Sequence, residues 1–284
     1  MFERADRLWL ERVEASLPYH AVEFEWRGFE PVLTCRNRSS DDPLSLDLGR
    51  VDYVISGHRE CVGHYEGDRY FACPDRAAVS KFVQCAACAE EFFIPHQECV
   101  FEPKCDGDLC DMDFCRREHV VYLAFYNKRV KIGMSSNRRV DKRLVEQGAD
   151  AFALIGSFLS RKKARTAEKE ISARLRIPQA FKQEVLLENF ARPLDMKGIQ
   201  GNYDALSASL EAQPGVAPGP LRWLDSYPIE LPLEVKPRLR ETPGRHRGKA
   251  VGVKGKWLIY RATRLTALNL ADIPSRFVGA ELLP

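Results

Sequence analysis

The sequence predicts an α+β protein in which strand-rich regions at both ends flank a cysteine-rich segment and a small α/β module. Three observations carry this. Short strand-like runs lie near both ends, in HAVEFEWRGFEPVLTCR and in KAVGVKGKWLIYRA. Eight of the nine cysteines fall between Cys61 and Cys115. After residue 119, two strand-like runs give way to segments of helical period.

In order, residues 1–60 read as a helix over 1–17 followed by short strands. Residues 61–119 are the cysteine-rich segment, residues 120–205 the α/β module, residues 206–220 a linker of Ala, Gly, Ser and Pro, and residues 221–284 a second β-rich region. The strand-rich ends are expected to pack together, leaving the middle as an insertion. The opening MFERADRLWLERVEASL is charged and lacks the apolar core of a signal peptide. No apolar run approaches the roughly 20 residues that span a membrane. Cytoplasm is the expected compartment and no membrane partner is expected.

Thiols crowded in a reducing compartment bind metal more often than they form disulfides. Two groups separate by spacing. The first is Cys61 and Cys73 with the knuckle Cys85-Ala-Ala-Cys88. The second is Cys105, Cys110, Cys115 and His119, spaced C-x4-C-x4-C-x3-H. Thiolate and imidazole donors suit closed tetrahedral zinc, so two structural zinc ions are expected, with an iron–sulfur cluster as the rival. Cys35 reads as a small buried hydrophobe. Cys99 is unassigned, and it or His96 could replace a member of either group.

Net charge is only +3, but residues 129–176 hold 13 basic against 5 acidic side chains. Arg138, Arg139, Lys142, Lys162 and Lys163 in this stretch are candidate contacts to DNA or RNA phosphates. In the module itself, VVYLAFY and RVKIGM read as a hairpin turning at Asn127-Lys128, with a helix over about 140–147 stopped by Gly148 and a second helix capped by Ser160. Arg143 and Glu168 fall on the apolar stripes of these two helices, where a charge is costly unless paired or used. At the C-terminus, Lys249, Lys254, Lys256 and Arg261 beside Trp257 and Tyr260 read either as a surface for single-stranded nucleic acid or as a sheet core, with Val251, Val253, Trp257 and Ile259 inward.

Residues 119–180 resemble the GIY-YIG nuclease superfamily. Val120-Val121-Tyr122 stands where that superfamily has Gly-Ile-Tyr, and Lys131-Ile132-Gly133 where it has Tyr-Ile-Gly. The resemblance implies phosphodiester hydrolysis, with Tyr122 and Lys131 in the base or positioning places, Arg143 clamping phosphate and Glu168 holding magnesium or manganese. Lysine at 131 and valine at 120 depart from the superfamily pattern and leave a non-catalytic nucleic-acid-binding module as the alternative. A protein-interaction scaffold is a third reading. More widely, CVGHYEGDRYFACP, QCAAC, KIG, RLVEQGA and GKAVGVKGKWLI resemble a bacterial and archaeal family designated a domain of unknown function, over most of residues 50–265.

Overall fold

The computed structural model describes residues 17–89, 99, 102–109, 113–211 and 215–279. The helix expected over residues 1–17 lies outside these, Leu17 apart. The chain forms two compact units, residues 1–92 with 237–284, and residues 93–236. In chain order the second is inserted into the first. The boundary falls inside the cysteine-rich segment, so the first quartet belongs to one unit and the second to the other.

The first unit is built on a nine-stranded sheet. From the N-terminal side it takes β1 (Tyr19–Arg27), β2 (Glu30–Asn37), β3 (Pro43–Ser45) and β4 (Arg50–Arg59). A separate hairpin follows, β5 (His64–Glu66) with β6 (Arg69–Phe71). From the C-terminal side the sheet takes β11 (Arg238–Leu239), β12 (Gly244–Lys254), β13 (Trp257–Arg261), β14 (Leu265–Asn269) and β15 (Arg276–Gly279). The order β11-β14-β13-β12-β4-β15-β1-β2-β3 sets β4 between two C-terminal strands. The two ends of the chain therefore share one sheet.

The C-terminal strands are core rather than a stacking platform. Trp257, Leu258, Ile259 and Tyr260 are all buried along β13, which pairs with β12 on one side and β14 on the other. Val253 is buried and Val251 half-buried. Gly255, at φ 59°, occupies the β12–β13 turn, and the register slips between Ala250 and Gly252 as a bulge. At Gly248 a Cβ would sit 2.3 Å from the carbonyl oxygen of Arg261, so only glycine fits.

The second unit holds a four-stranded sheet, β10-β9-β7-β8, made of β7 (His119–Tyr126), β8 (Arg129–Ser136), β9 (Ala151–Phe158) and β10 (Arg222–Trp223). The helices, in chain order, are α1 (Ala86–Ala89, in the first unit), α2 (Asp113–Arg116), α3 (Val140–Gln147), α4 (Arg161–Leu175), α5 (Gln183–Asn189) and α6 (Met196–Glu211). Every residue of β7 is buried. Its Val121, Leu123 and Phe125 pack with Ala164, Ala167 and Ile171 of α4 and with Ile199, Tyr203 and Leu210 of α6. Burying one such side chain is worth about 1.5–3 kcal/mol, against roughly 1–2 kcal/mol for one left-handed residue. Strand pairing therefore fixes the register, and Asn127 accepts φ 51° in the turn. Its N–H donates to Asp150 (2.6 Å) and its side-chain amide to the Pro193 carbonyl (2.7 Å), which hold it there.

Both predicted helices form. α3 ends at Gly148, left-handed at φ 73°. α4 begins after Ser160, whose hydroxyl accepts from the Lys163 N–H at 3.2 Å. The stretch read as a linker from residue 206 begins as helix, because Leu206 and Leu210 continue the apolar stripe of α6 before the first proline at 214. Beyond the helix, Ala217 and Gly219 bond the carbonyls of Ile155 and Leu154 in β9. Among the described residues no helix is long and apolar enough to cross a membrane.

Candidate functional site

The first quartet comes together. Cys61 follows β4, Cys73 follows β6, and Cys85 and Cys88 lie at α1, yet their four sulfurs lie within 4.8 Å of one another. Local geometry explains the approach. Gly63, at φ 74°, lets the chain cross β6, where a Cβ would meet the Phe71 carbonyl oxygen at 2.1 Å. Gln84 ties the knuckle down by donating to the Gly63 carbonyl at 2.8 Å. The Cys85 N–H points at the Cys61 sulfur (3.2 Å), and the Cys73 and Cys85 sulfurs are 3.9 Å apart. Burial pushes the Cys61 and Cys88 thiols up, while the Cys88 backbone N–H draws the Cys85 thiol down. Four crowded sulfurs with little apolar packing around them suit a closed zinc site.

The second quartet is not gathered in the same way. Cys110 lies outside the described residues, as does His96, and among the described residues the first quartet is the only group of three or more such side chains whose ligand atoms converge. Its other members are nonetheless buried, with His119 only 1% exposed. The imidazole Nδ1 faces the Arg117 carbonyl at 2.8 Å, so the proton sits on Nδ1. Nε2 is then a bare lone pair, buried without a hydrogen-bond partner. The backbone around these cysteines is tied to the start of α4. Arg161 donates to the Cys99 carbonyl (2.6 Å) and stacks on Phe114, whose ring meets His119 edge-on at 5.4 Å. Ser160 donates to Asp106, the neighbour of Cys105.

The third cluster lies in the second unit, between the β7–β8 hairpin and helices α3 and α4. Tyr122 is buried opposite Gly133 in the β7–β8 ladder, and a bulge in the β7–β9 pairing falls at Val121/Tyr122. A Cβ at 133 would come within 2.6 Å of the Tyr122 ring and hydroxyl, so the glycine makes the room that the tyrosine fills. Arg143 donates from Nε to the Tyr122 hydroxyl at 3.3 Å. Glu168 is buried on α4 and accepts from Arg165 at 2.7 Å. Burial raises the Glu168 carboxyl above its ordinary range, while the Arg165 bond and the charges of Arg143 and Lys131 pull it back down. The Lys131 ammonium stands 5.6 Å from the centre of the Tyr126 ring. One buried carboxylate is thus surrounded by three cationic side chains.

A family model described as protein of unknown function (DUF2797) matches residues 50–275. The chain belongs to this family. No curated protein and no solved structure matches it.

In this DUF2797 member the match runs through both units and takes in every candidate ligand and every residue of the third cluster. Of the candidate phosphate contacts, Arg138, Arg139, Lys162 and Lys163 are exposed, with Arg139 paired to Glu146 at 3.2 Å, and Lys142 is half-buried. Sequence reasoning missed Arg165 and Gln179, which accepts from Arg165 at 2.8 Å. Arg165 had a signal, its i,i+3 spacing from Glu168. Gln179 had none. Cys35 is wholly buried with its thiol pushed up to about 12 by desolvation, as its isolation implied.

Proposed function

We propose that the chain is a zinc-stabilised nucleic-acid-binding protein whose second unit hydrolyses phosphodiester bonds in the manner of the GIY-YIG superfamily. The observation that carries this reading is the meeting of Tyr122, Arg143 and Glu168 in one basic cluster. Arg143 and Lys131 would receive the phosphate, since a guanidinium and an ammonium match its charge and donor needs. Tyr122, oriented by Arg143, would position the attacking oxygen. Glu168 would hold magnesium or manganese, which supplies charge neutralisation at the phosphate when bound.

One observation favours a second reading. Arg165 already occupies Glu168, and a ring of cations discourages another cation until a phosphate has entered. Binding without cleavage would follow if Arg165 keeps its place. Titrating DNA and RNA, single- and double-stranded, at several salt concentrations with parallel cleavage assays separates the two. Hydrolysis that needs magnesium or manganese supports the first, and affinity that falls steeply with salt without products supports the second. No affinity at moderate salt removes both and leaves a protein-interaction scaffold.

Two zinc ions complete the reading. The first would be held by Cys61, Cys73, Cys85 and Cys88. The second would take the bare Nε2 of His119 with Cys105 and Cys115, whose ligand atoms would have to close up from where the structure places them, and a fourth thiolate from Cys110 or Cys99. The fixed Nδ1–H of His119 is the orientation that zinc-binding histidines need. Elemental analysis giving two zinc per chain in colourless protein supports this, and a coloured, iron-containing preparation overturns it.

A further inference from the structure

In the first unit a cavity of about 250 Å³ opens beside the cysteine quartet, lined by Arg36, Arg38, Arg76, His20, Tyr70 and Phe277 among others. Two segments bring these arginines together: the end of β2 with the turn after it, which carries Arg36 and Arg38, and the loop following Cys73, which carries Arg76. Among the described residues no ion pair joins any of them to a carboxylate. Arg36 lies over the Tyr70 ring at 4.0 Å and donates to the Asp41 carbonyl at 2.9 Å. Arg38 lies over the Phe277 ring at 4.2 Å. Stacking fixes these guanidiniums without neutralising them. Two nitrogens of the lining, Nε of Arg36 and Nε2 of His20, are buried and lack a hydrogen-bond partner. Arg76 is held at φ 46°, a left-handed position that a non-glycine residue rarely adopts. Two carboxylates, Asp41 and Glu60, also line the cavity, and Glu60 is engaged by His58 at 3.2 Å. The quartet members Cys61 and Cys73 line it too, so three guanidiniums face two carboxylates and the edge of the thiolate cluster.

We propose that this cavity binds a terminal phosphate group, a site separate from the Tyr122 cluster and independent of the function assigned to it. Several guanidiniums lining one cavity can share the oxygens of a tetrahedral oxyanion, more than a planar carboxylate can engage. The aromatic backing of Arg36 and Arg38 keeps their fork geometry ordered before the ligand arrives. The phosphate has two sources, a free nucleotide or the 5′ end of a nucleic-acid strand.

The test uses full-length, zinc-loaded protein and calorimetry with inorganic phosphate, a nucleoside 5′-monophosphate, and one oligonucleotide with and without a 5′-phosphate. The parent is expected to bind inorganic phosphate. Tighter binding of the monophosphate than of both inorganic phosphate and the phosphorylated strand identifies the nucleotide source. Preference for the 5′-phosphorylated strand identifies the strand end. The double variant Arg36→Gln/Arg76→Gln should lose at least tenfold in affinity, while Arg247→Gln, exposed on β12, should not. Arg38→Gln, on the guanidinium seated over Phe277, should also weaken phosphate binding, and unchanged affinity there with zinc retained overturns the site. No phosphate binding by the parent, or unchanged affinity in the double variant with zinc retained, overturns the site. Loss of zinc from both variants also overturns it, because the arginines would then serve the thiolate charge.

Discussion

His246 shows how a single buried side chain sets a pH limit. Its Nε2–H donates to the Thr242 carbonyl at 2.9 Å, and its Nδ1 accepts from the Tyr260 hydroxyl at 3.0 Å. Burial lowers its pKa to about 4 from the ordinary 6.5. The folded value is depressed, so this contribution to stability is complete above pH 6.5 and fades as pH falls toward 4, amounting to about 3 kcal/mol. Urea melts between pH 7 and pH 4 should show that loss, and His246→Gln should flatten it. Gly133 makes a second residue-scale case. Adding a methyl group there pushes on the Tyr122 ring, so Gly133→Ala should destabilise by about 1–3 kcal/mol and weaken nucleic-acid binding. An unchanged melting temperature with unchanged binding would remove Tyr122 from the site. At this scale the sequence was legible where a local pattern sets the placement, as in the Cys85–Cys88 knuckle and in the helical phase that buries Glu168. It was silent where a partner comes from a distant loop, as Gln179 does.

At the scale of elements, helix punctuation was readable because glycine and serine act locally. Gly148 stops α3 and Ser160 starts α4 for reasons contained in a few residues. Strand neighbours were less so, because pairing is non-local. β13 reads as a half-exposed strand on its own, but its position between β12 and β14 in a covered sheet buries its aromatic residues. Between Cys61 and Cys88 few apolar side chains other than the cysteines are buried, and the cluster the segment forms consists largely of its own cysteines. Metal is therefore expected to supply its folding energy. Cys88→Ser should lose about one equivalent of zinc by elemental analysis and expose the segment to protease. Full zinc in that variant would contradict the quartet. Elsewhere in the first unit, Arg276 joins β15 to β4. It donates to the Ser56 and Gly57 carbonyls and pairs with Asp272 at 3.1 Å. Removing a buried, fully engaged guanidinium strands its acceptors, so Arg276→Met should cost about 3–5 kcal/mol in a urea titration.

For the whole molecule, the two-unit arrangement makes sense of the cysteine count. Each quartet falls in a different unit, so one zinc would serve each. The sharing of one sheet by the two ends was foreshadowed by strand-like runs at both ends, but the order of its nine strands was not, since nothing local places β4 between β12 and β15. The basic charge of residues 129–176 belongs wholly to the second unit, and three of its side chains, Lys131, Arg143 and Arg165, act on Glu168. The measurement that tests this account most directly compares the parent protein with Glu168→Gln for cleavage of DNA and RNA in the presence of magnesium or manganese. The account predicts cleavage by the parent and a loss of at least a hundredfold in the variant, with nucleic-acid affinity largely kept. Equal cleavage by the two proteins, or none by the parent under any of these conditions, would contradict it.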